Sequence, residues 1–150
     1  MKIVLQKVKK ASVSVEGKVV GEIDKGYCLL VGVHKESTEA DAKYLAKKIV
    51  EARLFEDENE KLNLGLKDVN GSILSVSQFT LYADTKKGKR PSFTNAAGAE
   101  KANELYNKFN EYLREEGIKV ETGIFQTMME VNIINDGPVT IIYEKLSLGN

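Results

Sequence analysis

The sequence predicts an α+β domain in which a mixed or antiparallel β-sheet is covered by two helices. Runs of β-branched residues, typical of strands, occur at the beginning, in the middle and at the end of the chain. Apolar residues at helical spacing occur in two segments between those runs. The element order is therefore strands, helix, strand, helix, strands, which favours two helices packed on one sheet.

Length and composition are those of an ordinary globular protein. The 150 residues suit one domain spanning 1–150, with 42% hydrophobic and 29% charged residues. Lys and Arg number 22, as do Asp and Glu, so any nucleic-acid partner must meet a local basic patch. Cys28 is the only cysteine, which excludes an internal disulfide and fits a reducing compartment. Without a signal peptide or a long apolar run, we expect a cytoplasmic protein with no membrane partner.

The first half of the chain is predicted to form four strands and a helix. The strands are expected at 2–8, 11–17, 18–23 and 27–34, and the helix at 38–54. Gly17 marks a hairpin turn, and the apolar run 27–34 is typical of a central strand. Ser37 or Thr38 can cap the helix. Residues 56–71 are expected to form a loop.

The second half is predicted to form a strand, a helix and three closing strands. The expected ranges are 72–83 for the strand, 84–98 for a loop, 99–117 for the helix, and 118–123, 128–134 and 139–146 for the last strands. Gly137 and Pro138 interrupt the β-branched run "IINDGPVTIIYE". Proline cannot donate to a sheet and glycine weakens a strand, so this pair needs an explanation other than strand formation.

A conventional nucleophilic or metal site is hard to assemble from this sequence. His34 is the only histidine and ends an apolar strand, so we interpret it as structural rather than as a general base. Cys28 lies within an apolar strand, where a thiol is inert. The acidic run 56–60 is typical of a solvated loop, and metal hydrolysis there is a weaker alternative. We expect neither a metal nor a cofactor.

Two polar segments remain as candidate sites. The stretch "SVSQFTL" places Ser75, Ser77, Gln78 and Thr80 in a strand otherwise suited to burial. Because alternate residues of a regular strand face opposite ways, an active site here requires backbone N–H groups at a bulge or strand end. The alternative is an exposed sheet face. The basic run "KKGKRPSF" suits phosphate contacts through Lys86, Lys87, Lys89 and Arg90, or is simply a solvated loop.

The motif "SVSQFTLYAD", followed about sixty residues later by "NDGPVT", resembles the D-aminoacyl-tRNA deacylases. The resemblance extends over essentially the whole chain, including "VLQKVKKASVSVEG", "RLFED" and "KRPSF". It implies a barrel-like sheet with two helices and a homodimeric, cytosolic hydrolase. Such an enzyme removes D-amino acids and glycine from the 3′ end of tRNA, without a cofactor and without a role for DNA.

The resemblance also assigns roles to individual residues. The catalytic pocket would be lined by Ser77, Gln78, Phe79 and Thr80, and the substrate would be contacted by Phe125 and Met129. The basic run described above, Lys86, Lys87, Lys89 and Arg90, would then contact the tRNA. Gly137-Pro138 would adopt a cis peptide bond and enter the partner subunit's active site, where its carbonyls hold the α-amino group and exclude L-side chains. Lys7 stands where the family usually has an arginine that braces this motif.

The resemblance implies catalysis led by backbone N–H groups near Phe79 and Thr80, assisted by the ribose 2′-hydroxyl. A nucleophilic Thr80 is the alternative, although no histidine partner is evident for it. Three other functions remain open. They are a non-catalytic RNA-binding module that stacks bases on Phe79 or Phe93, a small-molecule or metal-dependent esterase, and a purely structural dimer.

Overall fold

The computed structural model describes residues 1–147, which form eight strands, two α-helices and one 3-10 turn. In chain order the elements are β1 (Lys2–Val15), β2 (Lys18–Ile23), β3 (Gly26–Gly32), α1 (Glu39–Glu51), β4 (Phe55–Glu56), β5 (Leu62–Leu64), β6 (Ser72–Ser77), the 3-10 turn (Phe79–Tyr82), α2 (Ala99–Glu115), β7 (Val120–Thr122) and β8 (Glu130–Glu144). The predicted α+β class is confirmed.

The main sheet is mixed and has β1 at its centre. Its strand order is β2-β1-β3-β6-β7, and β8 also pairs with β1. β1 is antiparallel to β2, β3 and β8, whereas β6 is parallel to both β3 and β7. Since a strand has only two edges, β3 and β2 follow one another along one edge of β1, and β8 occupies the other.

The sheet curls into a nearly closed barrel because β2 returns to lie against β6 and β7. Gly21 makes this approach possible. A Cβ at that position would lie 2.7 Å from the carbonyl oxygen of Thr122 and 3.3 Å from the Leu74 side chain. The barrel interior is filled by a small apolar cluster that includes Val8, Val13 and Leu74. The barrel-like sheet implied by the resemblance is therefore present.

The two helices cover the outside of the sheet and bury a larger core. Leu45 and Ile49 of α1 and Phe109 and Leu113 of α2 pack in one cluster that also contains Leu29 of β3. No helix within residues 1–147 is long and apolar enough to cross a membrane.

Helix α1 begins and ends close to the predicted bounds. Its N-cap is Thr38, whose hydroxyl accepts the Asp41 N–H, while the Asp41 carboxylate accepts the Thr38 N–H. This reciprocal capping satisfies two N–H groups that the helix itself leaves unpaired. The helix ends at Glu51 with Ala52 as its C-cap, three residues before the predicted end.

Two long strands replace four predicted shorter ones. The expected break at Lys9 and Lys10 does not occur, because β1 continues from Lys2 to Val15 with β8 paired along it. Likewise, the pair Gly137-Pro138 does not end β8, because the strand pairs with β1 on both sides of it, through Asn135 with Val8 and Thr140 with Gln6. Whether a strand continues across a predicted break depends on its partner strand, and the pattern within one segment gives no information about that partner.

The predicted strand at 72–83 is wrong in its second half. β6 ends at Ser77, and Phe79–Tyr82 form a 3-10 turn. Its parallel neighbour β3 ends at Gly32, so β6 loses its ladder partner at the same level. A Cβ at Gly32 would lie 3.0 Å from the Leu81 Cβ, so this glycine makes room for the turn. The predicted loop at 56–71 also contains part of the small β4–β5 hairpin.

Candidate active site

A cleft of about 530 Å³ opens where β6 passes into the 3-10 turn. Its walls come from this junction, the start of α2 and the segment between β7 and β8. The predicted residues Ser77, Gln78, Phe79, Phe125 and Met129 all line it. Sequence motifs about fifty residues apart therefore meet at one concave surface, whose volume is in the range of small-molecule sites.

Two backbone N–H groups at the strand-to-turn junction have no acceptor within the turn. The Gln78 N–H donates to the Val31 carbonyl at 2.8 Å, which is the last contact of β6 with β3. Phe79 and Thr80 then begin the 3-10 turn, and both are exposed. N–H groups at the start of a helical turn have no preceding carbonyl within it, so these two can bind a ligand oxygen.

Thr80 lies beside the cleft rather than in its lining. Its hydroxyl accepts a hydrogen bond from the side-chain amide of Gln78. An amide donor cannot take the hydroxyl proton, so Gln78 does not act as a base for Thr80. In a regular strand Gln78 and Thr80 would lie on the same face. Here the 3-10 turn follows Gln78 and brings the two side chains into contact.

The turn is fixed in place by Tyr82, its one buried residue. The Tyr82 hydroxyl donates to a Glu144 carboxylate oxygen at 2.9 Å, and the His34 ring meets the Tyr82 ring edge-on at 5.0 Å between centroids. Lys2 lies over the same ring and donates to the Leu81 carbonyl at 3.4 Å. The turn is anchored through Tyr82 and Leu81 near its end, whereas Phe79 and Thr80 at its start remain exposed.

A buried tyrosine of α2 supports the cleft from behind. The Tyr106 hydroxyl donates to the Ser75 carbonyl at 2.6 Å, and its ring lies 6.4 Å from that of Phe125. Ser75 pairs with Thr122 at the end of the β6–β7 ladder, so Tyr106 supports β6 where β7 stops. Burial raises the pKa of Tyr106, which keeps its hydroxyl protonated as a donor.

The segment between β7 and β8 forms the opposite wall. Gln126 has φ of 60°, and the Thr127 hydroxyl donates to the Ile124 carbonyl at 2.8 Å. These contacts make a compact turn in which all of residues 125–129 line the cleft, Met128 among them although its side chain is 90% exposed.

The pair Gly137-Pro138 has the predicted cis peptide bond but does not line the cleft of its own chain. Both residues are exposed and lie in residues 136–139 of β8, the Gly-Pro bulge, which skips the β1 register. Gly137 has φ of 124°, a conformation that favours glycine. The structure therefore separates two predicted halves of the site within one protomer.

Lys7 is the β1 residue opposite the Gly-Pro bulge, since its neighbours Gln6 and Val8 pair with residues on either side of it. The side chain is buried, and its ammonium lies 5.1 Å from the centre of the Phe55 ring. Lys7, Phe55 and Asp136 line a separate cavity of about 220 Å³. Lys7 is thus placed next to the bulge rather than in the cleft.

The basic run forms an exposed loop, residues 84–92, that we call the basic hairpin. Asp84 and Ser92 close it with two backbone hydrogen bonds of 2.7 and 2.9 Å. Its cations, all exposed, are Lys86, Lys87, Lys89 and Arg90. Phe93 follows the hairpin and meets Phe79 edge-on at 5.0 Å, so the hairpin adjoins the cleft.

The remaining candidate groups lie in surroundings that are typical of structural residues. His34 is buried, its Nδ1 accepts the Glu36 N–H at 2.9 Å, and burial lowers its pKa. Burial raises the pKa of Cys28 to about 12, so its thiol is not a nucleophile near neutral pH. The Asp57 carboxylate accepts the N–H groups of Asn59 and Lys61 in the β4–β5 turn. Residues 1–147 contain no group of three His, Cys, Asp or Glu side chains placed to hold a metal.

Sequence reasoning missed several residues of this site. Ala97, Ala99 and Ala102 line the cleft, and Tyr106 supports it. The run of small residues at 96–99 was the one available signal, because small side chains beside a helix start leave room for a ligand. Tyr106 looked like an ordinary core residue of an amphipathic helix.

Comparisons with known proteins show the family to which the chain belongs. The family model for D-Tyr-tRNA(Tyr) deacylase matches residues 4–144. A protein of Staphylococcus haemolyticus named D-aminoacyl-tRNA deacylase is 60% identical over 144 residues, covering 96% of this chain and 95% of its own. A protein of Exiguobacterium sibiricum with the same name is 59% identical over 145 residues, covering 97% and 100%.

Two solved structures share the architecture. One, named c-Myc DNA unwinding element binding protein, has a TM-score of 0.91 and 40% identity, covering 98% of this chain and 100% of its own. The other, described as a probable eukaryotic D-amino acid tRNA deacylase, has a TM-score of 0.82 and 16% identity, covering 95% and 97%. The second likeness concerns the fold alone.

Proposed function

Because the chain belongs to the D-Tyr-tRNA(Tyr) deacylase family, we propose that it is a D-aminoacyl-tRNA deacylase. Its substrates are tRNAs that carry a D-amino acid or glycine, and it acts in the cytoplasm as a single domain. It hydrolyses the ester between the aminoacyl group and the tRNA 3′ end. Water adds to the ester carbonyl, the bond to the ribose oxygen breaks, and the products are the free amino acid and the tRNA hydroxyl. The observation that carries this proposal is the cleft at the β6–turn junction, lined by Ser77, Gln78 and Phe79.

The N–H groups of Phe79 and Thr80 stabilise the oxyanion that forms when water attacks. Their position at the start of the 3-10 turn leaves them without a carbonyl inside that turn. A well-placed donor of this kind is worth about 2.7–4 kcal/mol. An aminoacyl ester is already activated, so this contribution and the ribose 2′-hydroxyl replace a protein general base.

A nucleophilic Thr80 fits the geometry less well. Its hydroxyl accepts from the Gln78 amide, which offers a proton instead of removing one. His34, the only histidine, contacts Tyr82 and the Glu36 N–H. The backbone-led mechanism is therefore the one that we adopt.

The terminal adenosine and the aminoacyl group share the cleft. Phe125 and Met129 supply its apolar wall, on which an adenine can lie. The basic hairpin contacts tRNA phosphates, and these contacts weaken as salt rises because counterions are released on binding. Since one structural relative is named for DNA binding, excess duplex DNA is a suitable competitor in the tRNA assays.

Rejection of L-amino acids depends on a second copy of the chain. The Gly-Pro bulge is exposed and absent from the cleft of its own protomer, which suits insertion into a partner's cleft. There its carbonyls hold the α-amino group, so that an L-side chain would strike the backbone and a D-side chain points outward. Lys7, opposite the bulge, orients it.

β8 offers a surface for such a homodimer. It pairs with β1 along one edge, whereas within residues 1–147 no strand pairs with its other edge. Ile134 and Ile142 are 55% and 65% exposed on this strand. An exposed edge strand that carries apolar residues is a template on which a strand of another chain can pair.

The test compares the hydrolysis of D-Tyr-tRNA and L-Tyr-tRNA under matched conditions, measured as the release of labelled tyrosine. We expect rapid loss of the D ester and retention of the L ester. Ala99→Trp fills the cleft from an exposed position at the start of α2 and should abolish turnover. Equal loss of both esters would contradict chiral selection, and tRNA binding without turnover would favour the RNA-binding module.

A further inference from the structure

Two aromatic side chains form an exposed platform beside the cleft. Phe79 is 55% exposed and Phe93 is 37% exposed, and their rings meet at 5.0 Å and 67°. Phe79 lines the cleft, whereas Phe93 does not. Phe93 therefore extends an apolar surface outward from the point where the terminal nucleoside is held.

The backbone just after Phe93 is hydrogen-bonded to the segment that follows β3. The Lys35 N–H donates to the Asn95 carbonyl and the Ala97 N–H donates to the Val33 carbonyl, both at 2.9 Å. Val33 and Ala97 themselves line the cleft. The platform and the cleft thus share one framework, so a base on Phe93 has a fixed position relative to a ligand in the cleft.

Positive charge adjoins the platform on its outer side. The basic hairpin ends at Ser92, directly before Phe93, and its closure by Asp84 and Ser92 fixes its base. In the part of the chain that the structure describes, none of its four cations lies within 4.0 Å of a carboxylate. Unpaired cations next to exposed aromatic rings are the combination that single-stranded nucleic acids bind, through phosphates and base stacking.

We propose that Phe93 stacks on the base that precedes the terminal adenosine, while the basic hairpin contacts the phosphates of the single-stranded 3′ end. This proposal rests on the function proposed above and adds a second nucleotide subsite to it. Phe79 in the cleft, Phe93 and the basic hairpin follow one another outward along the protein surface. The terminal nucleoside, the preceding base and the backbone phosphates follow one another in the same order along the tRNA 3′ end. Stacking selects a single-stranded end but tolerates any base, since every base has an aromatic face.

The experiment compares three D-tyrosyl esters of increasing length, linked to adenosine, to the dinucleotide CA and to full tRNA. The wild-type protein is compared with Phe93→Leu, which keeps an apolar side chain but removes the ring, and with Phe93→Tyr, which restores a ring. Tyr44→Leu is the matched control, because Tyr44 is an exposed aromatic residue (47%) on α1 rather than at the cleft.

We expect kcat/KM of the wild type to rise from the adenosine ester to the CA ester, with most of the change in KM. Phe93→Leu should lower kcat/KM on the CA ester by about 5- to 100-fold, the range expected for loss of one stacked base. It should leave the adenosine ester unaffected. Phe93→Tyr should behave like the wild type, and Tyr44→Leu should have no effect on either ester.

Two results would overturn the subsite. One is no gain in the wild type on adding the second nucleotide. The other is an equal loss on the adenosine and CA esters in Phe93→Leu, which would mean that Phe93 acts only by supporting Phe79. Absence of turnover on every ester would instead contradict the proposed hydrolysis.

In that case the subsite is tested by calorimetric binding of an amide-linked, non-hydrolysable D-tyrosyl-CA. Tighter binding by the wild type than by Phe93→Leu supports the subsite, and equal binding rejects it.

Discussion

The Tyr106 hydroxyl donates a hydrogen bond of 2.6 Å to the carbonyl oxygen of Ser75, two residues before Ser77 enters the cleft. A helix residue distant in sequence thereby holds the end of β6 at the point where its neighbour β7 stops. The cleft depends on this contact because the 3-10 turn follows directly from that strand end.

Tyr106→Phe removes the hydroxyl and leaves a buried carbonyl without its donor. We expect a loss of about 1–3 kcal/mol of stability and a fall in kcat of about 10- to 100-fold, as for small misplacements of reacting groups. Tyr112→Phe on the same helix removes only an exposed contact with Glu39 and serves as the control. A lower melting temperature with unchanged kcat would show that Tyr106 is structural and does not position the site.

Lys7 should affect chiral selection more than stability. Lys7→Met keeps the buried aliphatic length and removes the charge opposite the Gly-Pro bulge. We expect increased hydrolysis of L-Tyr-tRNA and a stability change within about 1 kcal/mol, because no carboxylate in residues 1–147 forms a salt bridge with Lys7. Lys25→Met is the control, since the Lys25 ammonium lies 5.6 Å from the same Phe55 ring but is exposed. Equal behaviour of both variants would argue against a positioning role.

His34 should make the fold less stable in mild acid. Burial lowers the pKa of His34 below its usual value of 6.5, so the folded state favours the neutral ring. As pH falls below 6.5, the unfolded chain binds the proton first and stability is lost. His34→Asn keeps an acceptor for the Glu36 N–H and removes the titration.

Melting temperatures at pH 7.5 and 5.5 measure this contribution. The wild type should lose more stability than His34→Asn between the two values. The α-amino group of Met1, whose pKa burial lowers to about 6, titrates in the same direction in both proteins, and its positive charge adds to burial in lowering the pKa of His34. The difference between the two proteins therefore measures His34 together with its coupling to this group. An equal loss in both would show that His34 does not contribute.

A charge on the free edge of β8 should separate the subunits. Ile142→Asp places a carboxylate at a side chain that is 65% exposed on this strand. We expect sedimentation to show monomers and hydrolysis of D-Tyr-tRNA to fall together. Val19→Asp, at a 57% exposed position of β2, is the matched control. An active monomer of Ile142→Asp would contradict a site shared between subunits.

Most elements of the fold could be predicted from hydrophobic periodicity, and the differences have a common cause. β1 and β8 are continuous because they pair with each other on both sides of Lys9 and on both sides of the Gly-Pro bulge. The end of β6 at Ser77 reflects the end of its parallel neighbour. Strand length was thus set by pairing between distant segments, which a pattern within one segment does not contain.

Site residues that belong to a sequence motif could be predicted, whereas residues that reach the site only through packing could not. Ser77, Gln78 and Phe79 follow one another in sequence, and Phe125 and Met129 were assigned by resemblance. Tyr106 reaches the site only through the packing of α2 on the sheet. Gly137-Pro138 is anomalous in a strand on sequence alone, and the role proposed for it depends on a second protomer.

The most direct test of the shared site is subunit mixing. Ala99→Trp blocks the cleft but leaves the Gly-Pro bulge, and Gly137→Ala disturbs the bulge, where φ is 124°, but leaves the cleft. Each homodimer should be inactive on D-Tyr-tRNA. A mixed dimer contains one intact cleft faced by one intact bulge, so random mixing should restore about one quarter of the wild-type activity. No recovery in verified mixed dimers would place both halves of the site in one chain and contradict the account.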